Sequence, residues 1–174
     1  MATLQEYREV RLEKLKKLQE LGIETFPARS KRTHICGDIL NDFDKLEGQE
    51  VYVLGRIKSL RTHGKISFWD IADETGEIQL FIKDENIGNY YDNLKYFDLG
   101  DFIQAKGEVV KTKTGQISIM VKELKLITKA IRPLPDEHFG LKDEEARYRR
   151  RYLDFLINSE EKNKILVRGK VLRY

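Results

Sequence analysis

The sequence predicts a mainly β fold: a five-stranded Greek-key barrel with an N-terminal helix and a helical insert between strands 3 and 4. Three observations carry this. From Val51 the apolar period changes to two, and it recurs in a set of short segments ending near Thr128. Gly55 stands inside the first of them, "VYVLGRIKSL", where a barrel strand can bend sharply. After the third, the alternation is interrupted by "ENIGNYYDNLKYF", whose mixture of Gly and aromatics suits a helix or a compact loop.

The elements follow in order. Residues 3 to 21, "TLQEYREVRLEKLKKLQEL", predict a helix, because Leu4, Tyr7, Leu12, Leu15 and Leu18 recur at helical spacing and Gly22 terminates it. Lys14, Lys16 and Lys17 lie near the end of its charged face, either touching phosphates or simply solvated. "FPARSKRTH" leads into a short helical segment around "CGDILNDFDKLEG". The strands are "VYVLGRIKSL", "KISFWDIAD", "GEIQLFI", "DFIQAKGEVVKT" and "GQISIMVKELKLI", with a turn at Thr75-Gly76 after the second and "KTKTG" before the last. This is the order of an OB-fold, a small barrel that binds oligonucleotides on one face. Periodicity alone also allows two packed antiparallel sheets of another topology.

"RPLP", residues 132 to 135, predicts a stiff connector. Beyond it, the piece from Ser159 reads as a helix with Ser159 as cap before Glu160 and Glu161. It runs on without a stop signal and cannot bury much core, so it reads as the opening of a second domain. The expected organisation is a helical segment over 1–48, the barrel over 49–128, a linker over 129–150 and the start of a further domain over 151–174.

The 174 residues are 35% charged and 40% hydrophobic, which is a soluble globular composition. A net charge of +3 permits nucleic-acid binding without demanding it. A single cysteine, Cys36, excludes an internal disulfide and a CxxC metal pair, and suits a reducing compartment. His34, His63 and His138 have no ligand spacing that suggests zinc. The N-terminus lacks the apolar core of a signal peptide, and no apolar run approaches the ~20 residues that span a bilayer. A cytoplasmic protein without membrane attachment is expected.

Strand alternation then sorts two faces. Ser67, Trp69 and Ile71 point one way and Ile66, Phe68, Asp70 and Ala72 the other. Ile78, Leu80 and Ile82 join the Trp69 side as core, which leaves Glu77, Gln79 and Phe81 beside Phe68. A base can stack on an exposed ring, an amide offers a donor and an acceptor to a base edge, and Arg61 can meet a phosphate or base. Against this stands the plainer alternative of Phe68 covered by the N-terminal helix or by a dimer partner, with Gln79 and Arg61 merely solvated.

The same residues resemble the N-terminal part of class II lysyl-tRNA synthetases of bacterial type. The resemblance runs from about Leu12 to the end of the chain. Its most specific stretches are "LGDFIQAKGEVVKTKTGQISI" and "RPLPDEHFGLKDEEARYRRRYLDF". The aspartyl and asparaginyl enzymes share the barrel but not the second stretch. The resemblance implies an anticodon-binding module that grips the anticodon loop of lysine tRNA. It implies that Phe68 stacks on the central uridine, that Gln79 hydrogen-bonds it and that Arg61 assists. A further family contact is usually a glutamate in "TKTGE"; this sequence has Gln116 there, in "TKTGQ".

The family's reaction, activation of lysine with ATP and transfer to tRNA, uses ATP and magnesium in a later domain of a homodimer. "KILVRGKVLRY" resembles the first part of that domain's motif 1 helix. Motifs 2 and 3 are not in the sequence. The chain by itself is therefore expected to hold no cofactor and to catalyse nothing, as a module of an enzyme. The alternative from the residues alone is a free-standing OB-fold that binds single strands without sequence preference.

Overall fold

A computed structural model describes residues 3–134 and 143–174. The chain divides into two compact units, one ending at Pro133 and one beginning at Leu134. His138 and the second proline of the expected connector, Pro135, lie outside the described residues.

The first unit opens with helix α1 (Leu4–Glu20). Thr3 and Glu6 close a reciprocal cap at its start, and Gly22, with φ of 72°, follows its end. Two short helices, α2 (Cys36–Asn41) and α3 (Phe43–Leu46), lead into the barrel. Its strands are β1 (Glu50–His63), β2 (Ile66–Ala72), β3 (Glu77–Lys83), β4 (Phe102–Lys111) and β5 (Ile117–Thr128). Between β3 and β4 lie α4 (Asp84–Ile87) and a 3₁₀ segment (Gly88–Tyr96). The strands close in the order β1-β2-β3-β5-β4, with β3 and β5 parallel and every other pair antiparallel. Closure removes the sheet edges and excludes the two-sheet alternative.

Strand β1 serves two partners: Glu50–Arg56 pair with β4 and Arg56–His63 with β2. Gly55 sits at this handover. A Cβ there would come within 3.1 Å of the Ala72 carbonyl and the Ile71 side chain, so the bend requires a residue without one. The core is the inward set expected from alternation, with Trp69, Ile71, Ile78, Leu80 and Ile82 joined by Val51, Val53, Ile57, Ile103, Ile119, Val121 and Leu126. The turn from β2 to β3 is organised by Asp73. Its carboxylate accepts from the backbone N–H of Cys36, Thr75 and Gly76 at 2.8, 2.7 and 3.1 Å. Burial works against that charge, but these donors outweigh it and hold Asp73 below its ordinary pKa. Cys36 is buried, and burial together with Asp73 pushes its thiol up to about 12, so it acts as a small apolar residue.

Helix α1 packs less of its apolar stripe than the spacing predicts. Leu18 is fully buried, whereas Leu4 and Tyr7 are 65% and 49% exposed. Polar groups do much of the anchoring. Arg11 donates to the carbonyls of Ala130 and Arg132 at 2.7 and 3.1 Å, and Lys14 reaches Asp98 at 2.6 Å. Asp98 also meets Lys129, which is 3% exposed and donates to Asp98, Asp101 and the Tyr96 carbonyl at 2.6, 2.7 and 2.8 Å. All three ammonium protons thus find acceptors. Asp101 is completed by the N–H groups of Asp98 and Ala130, both at 2.8 Å. This cluster ties α1, the end of the 3₁₀ segment and the exit of β5 together. Of the lysines considered for phosphate contact, Lys14 is taken by Asp98, and Lys17 pairs with Glu20 at 2.7 Å.

The second unit holds α5 (Glu144–Arg149), α6 (Arg151–Ile157) and α7 (Ser159–Val171). Helix α5 lies inside the stretch expected as linker. The cap of α7 is Asn158, whose side chain accepts from Glu161 N–H, and not Ser159, which is already the first helical residue. Asp154, 2% exposed, takes Arg147 and Arg151 at 2.9 and 3.3 Å.

Candidate nucleic-acid interface

The register converts the alternation of β1, β2, β3 and β5 into two parallel rows across the barrel's outer face. Arg61 stands opposite Phe68, Phe68 opposite Phe81 and Phe81 opposite Met120. One step along, Ser59 stands opposite Asp70, Asp70 opposite Gln79 and Gln79 opposite Ser118. Side chains at such positions are neighbours on one face. The first row is aromatic with a cation at one end; the second is polar.

Within the first row the rings of Phe68 and Phe81 stack, with centroids 5.0 Å apart and planes 5° from parallel. Both are half-buried, and so is Met120 beside them. The ammonium of Lys83 lies 5.4 Å from the Phe81 centroid. Trp69, on the opposite side of β2, is 2% exposed and packs against Phe97. Phe68 is therefore outward as expected, but it belongs to a two-ring platform and does not stand as a lone ring.

The second row constrains the polar groups. Arg61, its side chain 50% exposed, donates to Asp70 Oδ2 at 2.7 Å, which holds the guanidinium beside Phe68. Gln79 is only 8% exposed, and its Oε1 accepts from the Ser118 hydroxyl at 3.0 Å. Its Nε2 has no partner among the described residues. Gln116 sits where β5 begins, behind Gly115 at φ of 86°. Its backbone closes the turn onto Thr112, and its side chain is exposed without a partner among the described residues. The turn thus sets Gln116 two residues before Ser118, at the β5 end of the polar row.

Residues 51–127 match the family described as OB-fold nucleic acid binding domain. The matched stretch is the barrel, from the start of β1 to the end of β5. Over nearly all its length the chain is also similar to lysine–tRNA ligases. It is 44% identical to the one from Moorella thermoacetica over 165 residues, 94% of this chain and 34% of that protein. The figures for the enzymes of Thermoanaerobacter sp. and Clostridium perfringens are 44% over 172 residues, 98% of this chain and 34% of theirs. The chain spans about a third of the length of these ligases.

Arg61, Phe68, Gln79 and Gln116 all lie within the OB domain, and the first three share one patch. Alternation alone did not single out Asp70, Ser118 or Met120. Asp70 looked like one more exposed charge, and Ser118 and Met120 enter the face only through the parallel β3–β5 pairing. Among the described residues no group of His, Cys, Asp or Glu is set to hold a metal ion. No helix among them is long and apolar enough to cross a membrane.

Proposed function

We propose that this chain is the anticodon-binding module of a lysine–tRNA ligase and that the face of β1, β2, β3 and β5 takes the anticodon loop of lysine tRNA. The observation that carries the proposal is the register that sets Arg61, Phe68 and Phe81 in one row with Gln79 in the next. Stacking supplies sequence-tolerant affinity, Arg61 positions the backbone or a base, and Gln79 reads a base edge. Gln116 offers an amide at the rim, in the place where the resemblance implies that the family usually has a glutamate. In this reading 1–48 is the helical lead, 49–128 the module, 129–150 a linker and 151–174 the start of a catalytic domain. The parent ligase is a cytoplasmic homodimer that activates lysine with ATP and magnesium, chemistry assigned in this reading to the part of the ligase beyond the third that this chain spans.

Phe68→Ala tests the platform. It should weaken binding of a lysine-anticodon stem-loop by about 1–3 kcal/mol. The lost stack with Phe81 should cost about 0.5–1.5 kcal/mol of stability. Unchanged affinity in a titration of the folded variant would place the RNA elsewhere.

Gln116→Glu tests the rim. A glutamate accepts a charge-assisted bond from a uridine imino group but adds a negative charge near the RNA backbone. The expected outcome is slightly weaker binding of every stem-loop with a sharper preference for the lysine anticodon. An unchanged preference ratio would remove Gln116 from the site.

A further inference from the structure

Resting on the anticodon-binding reading, we infer that Ser118 is a positioning residue that fixes the polarity of the Gln79 amide and so makes the site select a keto group over an amino group on the stacked base.

A glutamine amide can present either end to a ligand, and a free one does not discriminate. Gln79 is not free. Its backbone stands directly opposite Ser118 in the parallel β3–β5 pair, and both residues are buried. The Ser118 hydroxyl donates to Gln79 Oε1 at 3.0 Å, whereas its alternative acceptor, the Gln116 carbonyl, lies at 3.5 Å. The shorter contact assigns the hydroxyl proton to Gln79 and turns the amide oxygen inward. The NH₂ end is then the one without a protein partner among the described residues. It lies in the row next to the Phe68–Phe81 platform.

A fixed donor at that place complements the keto oxygen of uridine. Cytidine carries an amino group at the same ring position, so donor would face donor and that hydrogen bond is lost. The aromatic row cannot make this distinction, because every base has a π face. Discrimination between the two pyrimidines therefore falls on Gln79, and its direction on Ser118.

The test compares two stem-loops that differ only in uridine or cytidine at the centre of the lysine anticodon, titrated against four proteins. Wild type should favour uridine by roughly three- to tenfold, the size of one neutral hydrogen bond. Ser118→Ala should bring that ratio close to one, because the amide is then free to turn and accept from cytidine. Ser118→Thr, which keeps the hydroxyl, should retain the preference. Gln79→Glu keeps the bond from Ser118 but presents an oxygen outward, and should move the preference towards cytidine. An unchanged ratio in Ser118→Ala, or an equal loss for both stem-loops, overturns the inference while leaving the anticodon reading intact. Wild type binding neither stem-loop overturns that reading itself. If Ser118→Ala does not fold, the Gln79→Glu ratio decides: no movement towards cytidine overturns the inference.

Discussion

Lys129→Met should cost the first unit about 3–5 kcal/mol, the usual consequence of removing one partner from a buried ion pair. The ammonium is buried, and its three donors are spent on Asp98, Asp101 and the Tyr96 carbonyl. Without it two carboxylates remain in a poorly hydrated place, with Lys14 reaching only Asp98. The loss acts at the junction of α1, the 3₁₀ segment and β5, so α1 should become more accessible to proteolysis. Acid should narrow the difference. Burial opposes the charge of Asp98, but the hydrogen bonds from Lys129 and Lys14 outweigh it and hold its carboxyl below the ordinary range. A group more acidic in the folded state stabilises the fold above its unfolded pKa, about 4, and that contribution is lost as the pH falls through the folded value. Through Asp98 the wild type should therefore lose stability on acidification, while Asp101, which burial pushes upward, works in the opposite sense. The variant instead gains from protonation of its stranded carboxylates. Burial already pushes Asp101 upward, so its protonation begins first. Chemical denaturation at neutral pH and near pH 3 measures both effects. A neutral-pH loss below about 1 kcal/mol, the range of exposed pairs, would show that the cluster is solvated in solution.

Trp69→Ala should likewise cost about 3–5 kcal/mol, through the cavity left when a large aromatic is deleted from a packed core. Trp69 is 2% exposed, stands opposite Leu60 and Leu80 in the ladders and tilts against Phe97 at 5.4 Å. Its immediate neighbour Phe68 should behave in the opposite way, losing RNA affinity and little stability. The pair is a register test in its own right. A shift of β2 by one residue would exchange the two outcomes, because successive side chains face opposite sides.

Much of this was legible in the sequence, and the reason is the period of two. Trp69, Ile71, Ile78, Leu80 and Ile82 could be assigned inward, and Phe68, Gln79 and Phe81 outward, without knowing which strands pair. Features that depend on distant pairing were not legible. The β3–β5 contact joins residues about forty positions apart, so Ser118 and Met120 could not be placed beside Gln79 and Phe81. The same holds for Lys129, which reads as a solvated charge until Asp98 and Asp101 are brought around it. Helix α1 was legible as a helix, but its anchoring was not: Arg11 and Lys14 make specific contacts while Leu4 stays exposed. At α7 the error was one residue, because asparagine and serine are both good caps and only the backbone tells which is outside the helix.

The central claim is that this face reads an anticodon and does not merely hold single-stranded RNA. The direct measurement is an equilibrium titration of the chain with a lysine-anticodon stem-loop and with the same stem carrying a non-lysine anticodon, at two salt concentrations. The account predicts tighter binding of the lysine loop at both concentrations. Both affinities should fall with salt while their ratio holds, because phosphate contacts set the salt dependence and base contacts set the preference. Equal affinities that fall together with salt would contradict it and leave a barrel that binds RNA without reading it.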